Sequence, residues 1–345
     1  MKKIILQTAL FVYINAICFR NFRPTCTKIS EQYNRNIICD SKCSYISHDK
    51  LQRFLQTEQN WNLYLIQKYG HLIRKTSSFK RHNNKKHKNS FLIIDDTVIA
   101  KPFSKELDIL SWLYSSGDAK YLYGLNVVFV IWTDGNTRFP IGFRIWNKRE
   151  KKTRTRLDLA MEILKDAKKL YKLKPDYVLM DSFYAAAKSL KRIRKLKWHW
   201  IAKLRANRSI NKTQVKDYFK YRYGKEIGKL AQGLKVVVVK DKDCFWASSN
   251  TALDSLPLKK LYRKRQIIEE FFKILKSELR LEGCPSRKII AQFNHIYFVL
   301  LAFCQIEDFR IKKNITTIYK VRLVLINCII PKTLNWKLDV NPISA

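Results

Sequence analysis

The stretch FLIIDDT, Phe91 to Thr97, runs four apolar residues into two carboxylates. An apolar run that short reads as a buried strand. Carboxylates at the end of a buried strand cost free energy unless another group meets their charge. An Asp cap on a turn is the plainer reading. Asp95 or Asp96 is therefore either a turn former or part of a polar site at a strand end, and the flanking sequence has to separate the two.

Downstream, NVVFVIW and TRFPIGFRIW flank Asp134-Gly135-Asn136, a strong hairpin signal. RLDLAMEILKDAKKLYKL, from Arg156, has apolar residues at helical spacing. DYVLMDS, Asp176 to Ser182, is a second buried run ending in a carboxylate, Asp181, for which a helix N-cap is the plainer role. SFYAAAKSLKRIRKL is helical again, WHWIAKLR from Trp198 is a strand, and LKVVVVKDKDCFWASS, Leu234 to Ser249, is one or two strands. Three antiparallel-type strands, helix, strand, helix, strand, a strand-rich piece and a helix follow one another. That is the order of an α/β, RNase H-like core with a β-rich insertion before its last helix.

The last helix is YRKRQIIEEFFKILK, Tyr262 to Lys276. At about 100° per residue, Ile267, Ile268, Phe271, Phe272, Leu275 and Leu279 share one apolar face. Tyr262, Arg265, Glu269 and Lys276 fall within roughly 60° of one another at its edge. A salt-bridged surface is the plain account, since Arg265 and Lys273 both lie four residues from Glu269. Yet Asp95 or Asp96, Asp181 and Glu269 together make three carboxylates at the carboxyl edge of one sheet. Such a set suits hard divalent cations, and two ions about 4 Å apart would clamp the attacking and leaving oxygens of a phosphodiester.

Charge points the same way. The 345 residues carry 68 Lys and Arg against 28 Asp and Glu, a net charge of +40, while 46% of the chain is apolar. The chain should fold, and its excess charge speaks for a polyanionic partner, nucleic acid first. A histone-like protein would be as basic but shorter and less apolar. There is no internal repeat and no glycine-rich phosphate loop.

With these residues in view, the chain resembles a DDE-type insertion-sequence transposase of the group with a Y-(2)-R-(3)-E-(6)-K signature. Tyr262, Arg265, Glu269 and Lys276 meet that pattern in full, Asp95-Asp96-Thr97 matches D-x-T after a strand, and Asp181 with Tyr184 matches the second motif. The likeness runs from about Ser47 to Asp308. It implies Asp95 rather than Asp96 as the first metal ligand, completed by Asp181 and Glu269, with Mg²⁺ or Mn²⁺ as two ions. It also implies that Tyr262, Arg265 and Lys276 hold the terminal phosphates of the element's DNA end. The implied chemistry is strand cleavage by activated water, attack of the freed 3′ hydroxyl on the opposite strand as a hairpin, and joining to target DNA. The implied partners are the element's terminal inverted repeats, target DNA and a second copy of the chain on paired ends, in the nucleoid-associated cytoplasm. The rival readings are a decayed, inactive DNA-binding copy or another RNase H-like nuclease.

The organisation expected is a helical N-terminal region over 1–78, a basic linker over 79–90, the catalytic domain over 91–310 with its insertion at about 205–255, and a tail over 311–345. Ser47 to about Arg74 reads as helical from a Ser cap. In the insertion, Trp246 is the candidate to stack a flipped terminal base, against an ordinary core tryptophan. Lys101 reads as solvated, and His295 as a satisfied core histidine. The apolar start, MKKIILQTALFVYINAICF, is interrupted by Gln7, Thr8 and Asn15, so it reads as a buried leading helix rather than a membrane span. Eight scattered cysteines fit a reducing compartment, and Cys39, Cys43 and His48 are only loosely zinc-like in spacing.

Overall fold

The structure, a computed structural model, describes residues 2–19, 25–37, 45–73, 89–104, 107, 109–115, 117 and 119–321. The chain divides into two compact units, Met1–Trp61 with Leu275–Ala345, and Asn62–Ile274. Among the described residues the helices are α1 (Lys2–Phe19), α2 (Cys26–Ile37), α3 (His48–Leu55), α4 (Trp61–Tyr69), α5 (Arg156–Lys169), α6 (Ala187–Lys195), α7 (Val215–Tyr218), α8 (Ser255–Tyr262), α9 (Gln266–Lys273) and α10 (Ile289–Lys312).

Unit Asn62–Ile274 is built on one mixed sheet. Among the described residues its strands are β1 (Phe91–Ala100), β2 (Ser111–Ser115), β3 (Lys120–Thr133), β4 (Arg138–Trp146), β5 (Tyr177–Met180), β6 (His199–Leu204), β7 (Ser209–Ile210), β8 (Thr213–Gln214), β9 (Gly224–Leu230), β10 (Leu234–Asp241) and β11 (Cys244–Ser248). They lie in the order β2-β3-β1-β5-β6-β11-β10-β9-β7-β8, with β4 also paired to β3. Strands β1, β5 and β6 are mutually parallel, and β3 is antiparallel to β1. This is the expected α/β, RNase H-like core, with the β-rich insertion as β7 to β11 before the last helix.

The local reasons are legible. Within β1, β3 and β5 the apolar runs Phe91–Ile94, Val127–Trp132 and Tyr177–Met180 are buried throughout, as strand segments covered on both faces should be. At the β3–β4 turn, Asp134 Oδ1 accepts from the backbone N–H of Asn136 and Thr137, and Gly135 takes a φ of 90°. Helix α5 opens with a capping box between Thr155 and Asp158.

Three boundaries differ from expectation. Strand β1 does not stop at its carboxylates but runs on to Ala100, paired with β3 throughout. Strand β3 starts at Lys120, before the apolar run that announced it. A Cβ on Gly124 would stand 2.2 Å from the Ile99 carbonyl oxygen, so glycine alone lets the two backbones continue past each other there. The second helix of the core, α6, starts only at Ala187, because Asp181 Oδ1 takes the N–H groups of Phe183 and Tyr184 and holds that segment as a turn. The expected N-cap is thus a turn cap. Lys101 is buried, not solvated.

The unit Met1–Trp61 with Leu275–Ala345 is helical where described. The leading helix α1 buries Ala9, Leu10, Val12, Tyr13, Ile14, Ala16, Ile17 and Cys18 and packs on α10. His295 is satisfied, with Tyr13 Oη 2.9 Å from Nδ1 and the Arg280 carbonyl 3.0 Å from Nε2. The helix expected from Ser47 breaks after Leu55. The Asn294 amide donates to the carbonyls of Leu55 and Thr57 at 2.9 and 2.8 Å, taking over the bonds a continuing helix would have supplied. Helix α10 is long and apolar enough to cross a membrane, but most of it is buried in the unit. His48 pairs with Asp49. Cys39, Cys43, linker residues 79–88 and tail residues 322–345 lie outside the described residues.

Candidate active site

Strands β1 and β5 pair in parallel over Phe91–Ile93 and Tyr177–Leu179. The same register carried two residues further sets Asp95 level with Asp181, where β5 has ended and the sheet opens. Successive residues of a strand point to opposite faces, so Asp95 and Asp96 cannot share a role.

Asp96 is fully engaged within the fold. Its Oδ2 accepts from Asn126 Nδ2 at 2.6 Å and Arg156 Nη1 at 2.8 Å, and its Oδ1 from the Tyr184 hydroxyl at 2.7 Å. The Arg156 guanidinium lies 4.0 Å from the Phe183 ring centre and 5.3 Å from that of Trp146. Tyr184 thus ties the Asp181 turn to β1 through its hydroxyl while its backbone N–H holds Asp181. Sequence reasoning missed Asn126 and Arg156, since neither lies in a motif and only the fold brings them to Asp96.

Asp95 turns to the other side. Its Oδ2 accepts from Arg265 Nη1 at 2.6 Å, and the other arm of the same guanidinium donates to Glu269 Oε1. Arg265 lies on a 3-10 turn, Arg263–Arg265, between α8 and α9. Helix α9 is seated by Ile268, Phe271 and Phe272, the two rings packing edge-on against Phe129 of β3. That anchorage leaves Glu269 at the exposed rim, its side chain 53% accessible against 18% for Asp95. The stripe drawn on a uniform helix is broken at both ends, by the 3-10 turn and by a π-helical turn, Ile274–Glu278, so a constant step of 100° no longer relates its members. Lys276, in the other unit, lies 3.7 Å from Glu282.

Electrostatics bind these groups into one cluster. Burial pushes the Asp95 carboxyl up to about 7; the Arg265 charge opposes this, and Asp96 and Asp181 add to it. Burial likewise pushes the Tyr262 phenol up to about 12, with Asp181, Asp95 and Glu269 adding to the effect against Arg265. The Tyr262 ring lies 6.3 Å from that of Trp246, whose indole N–H is buried without a hydrogen-bond partner.

The structure therefore brings Asp95, Asp181, Glu269, Tyr262 and Arg265 to one place, with Trp246 beside Tyr262. Among the described residues no three His, Cys, Asp or Glu side chains already enclose a metal position. Arg265 stands between Asp95 and Glu269 instead. The donors are hard carboxylate oxygens, and Asp95 remains hard to ionise even with Arg265 in contact. The cluster is thus short of positive charge, and its chemistry fits a divalent ion of the Mg²⁺ class.

The sequence pattern of the transposase DDE domain family matches residues 86–304. The chain is a member of that family. Among solved structures, this transposase is similar to the piggyBac transposase synaptic complex with hairpin DNA, at a TM-score of 0.52 and 13% identity, covering 94% of this chain and 70% of that one. That likeness is one of fold. Two further similarities are the Mos1 transposase paired-end complex with left transposon end (TM-score 0.22, 14% identity, 51% of this chain and 53% of that one) and the NurA nuclease from Sulfolobus solfataricus (0.25, 13%, 64% and 98%). No curated protein sequence matches the transposase.

Proposed function

We propose that this transposase is encoded by a bacterial-type insertion sequence of the Y-R-E-K group, and that it cuts DNA at the element ends and joins them to target DNA. The observation that carries this reading is the convergence of Asp95, Asp181 and Glu269, drawn from two parallel strands and a late helix, on one cation-seeking cluster. Asp95, Asp181 and Glu269 would hold Mg²⁺ or Mn²⁺, as two ions, which would supply Lewis-acid stabilisation of the phosphodiester and an activated water or 3′ hydroxyl.

The chain's own residues do the rest. Asp96 is the structural carboxylate: with Asn126, Arg156 and Tyr184 it fixes β1 and the Asp181 turn relative to each other. Arg265 and Tyr262 grip the phosphate at the element end, and Lys276 serves the same DNA end. Arg265 suits this role because its fork can move from two carboxylates to a phosphate without losing its paired geometry. Trp246, next to Tyr262, offers a flat face to a terminal base. The DNA partners are terminal inverted repeats and target DNA, with two copies of the chain acting on paired ends in the cytoplasm.

The test uses DNA carrying the element's own termini. Asp95→Ala, Asp181→Ala and Glu269→Ala should each lower Mg²⁺-dependent cleavage by about a hundredfold or more, with end binding kept within a few-fold. Cleavage at the wild-type rate by any one of them removes that residue from the triad.

A further inference from the structure

The ribbon formed by β2 and the first residues of β3 carries four aromatic rings at facing positions. Trp112 pairs with Tyr123 and Tyr114 with Tyr121, at ring-centre distances of 5.7 and 5.4 Å. The intervening Leu113 and Ser115 are buried, so the two-residue period of the strand turns the rings outward. Trp112, Tyr114 and Tyr121 are 62%, 58% and 67% exposed. A row of exposed rings beside an edge strand is a liability in a protein with no use for it.

The surroundings say what the use is. Lys148 Nζ donates to the Trp112 carbonyl at 3.2 Å and so ties the turn after β4 to the ribbon. That turn exposes Lys148, Arg149, Lys151 and Lys152 against one acid, Glu150, which accepts from Asn147. Protein interfaces are depleted in lysine, whereas flat rings bordered by cations are the makings of a single-strand nucleic-acid platform. A duplex offers rings only its edges and phosphates; unpaired bases offer their faces.

We propose that this ribbon is a second DNA site, which stacks unpaired bases on Trp112, Tyr114 and Tyr121 while the Lys148–Lys152 turn holds their phosphates. It rests on the reading of the chain as a DNA-processing protein, and it lies outside the carboxylate cluster. The substrate class is fixed by chemistry: the short unpaired stretches that strand cutting exposes.

The experiment compares the intact protein with Trp112→Ala/Tyr121→Ala, in EDTA and at one salt concentration, on a single-stranded thymidine oligonucleotide of about 12 nucleotides and on a duplex of the same length. Trp112 and Tyr121 are both exposed, so the fold should survive; Tyr45→Ala, an exposed ring in the other unit, is the control. The expected result is a loss of about tenfold or more for the single strand in the double variant alone, with duplex binding within about twofold. Equal losses on both DNAs, or none on either, overturn the proposal. So does a change of oligomeric state with single-strand binding intact, which would make the ribbon a docking face for a second copy. If the wild type binds and cuts element ends and the ribbon variant matches it on every DNA, this inference alone fails. If the wild type binds no DNA, the functional reading fails with it.

Discussion

At the scale of single residues, the fold treats two neighbouring carboxylates in opposite ways. Asp96 receives three hydrogen bonds, one from a guanidinium, and is a satisfied, half-buried carboxylate. Asp95 has one cation and two anionic neighbours, and its carboxyl is lifted from 3.8 to about 7. Between those two pH values the folded chain keeps a proton that the unfolded chain has lost, so stability falls as pH rises through that window and is level above it. Asp95→Asn keeps a neutral group there and lacks this slope. In EDTA, the denaturant midpoints of wild type and Asp95→Asn should therefore diverge from about pH 4 to pH 7, in the variant's favour. The gap should not exceed about 4 kcal/mol, at 1.36 kcal/mol per unit. Parallel curves would mean that Asp95 is not a strained anion.

At the scale of elements, the Arg265 turn is the joint of the site. It joins α8 to α9, and its guanidinium fills the space between Asp95 and Glu269 that a metal ion would need. In the proposed function metal and DNA would then be linked: a phosphate that drew Arg265 away would free the carboxylates. Arg265→Gln should bind Mn²⁺ more tightly than wild type in the absence of DNA, by about tenfold, since a charge-assisted contact contributes roughly 1.5–3 kcal/mol. Titration calorimetry reads this without any turnover. Unchanged or weaker binding would show that Arg265 does not compete with metal. Much of this element was legible beforehand: the apolar spacing of Ile268, Phe271 and Phe272 fixed which face α9 buries. The 3-10 and π turns were not, because they arise from hydrogen-bond register rather than residue type. The break after Leu55 was hidden for another reason, since its cause, Asn294, is 239 residues away. The ribbon of β2 was hidden too, as outward Trp and Tyr erase the alternation of apolar and polar that marks a half-buried strand.

At the scale of the whole molecule, the carboxylates are few and many are already used. Asp95 and Glu269 hold Arg265, Asp96 holds Arg156, Glu162 and Asp166 hold Arg144, Asp158 holds Arg192, and Glu307 holds Arg310 in a pair almost wholly buried. With 68 basic side chains and 28 acidic ones, the excess of 40 has no counterpart inside the chain. Such charge raises the potential over the surface and makes binding a matter of counterion release. The logarithm of DNA affinity should fall linearly with the logarithm of salt concentration, by about 0.9 for each phosphate neutralised on a duplex. Fluorescence anisotropy with element-end DNA, from low to near-physiological salt, measures that slope. Asp95→Ala should share it, because in the proposed function that carboxylate would serve the metal and not the DNA backbone, whereas Arg265→Gln should lower it by about one. A wild-type slope near zero would leave the charge without its partner and take the DNA-processing reading down with it.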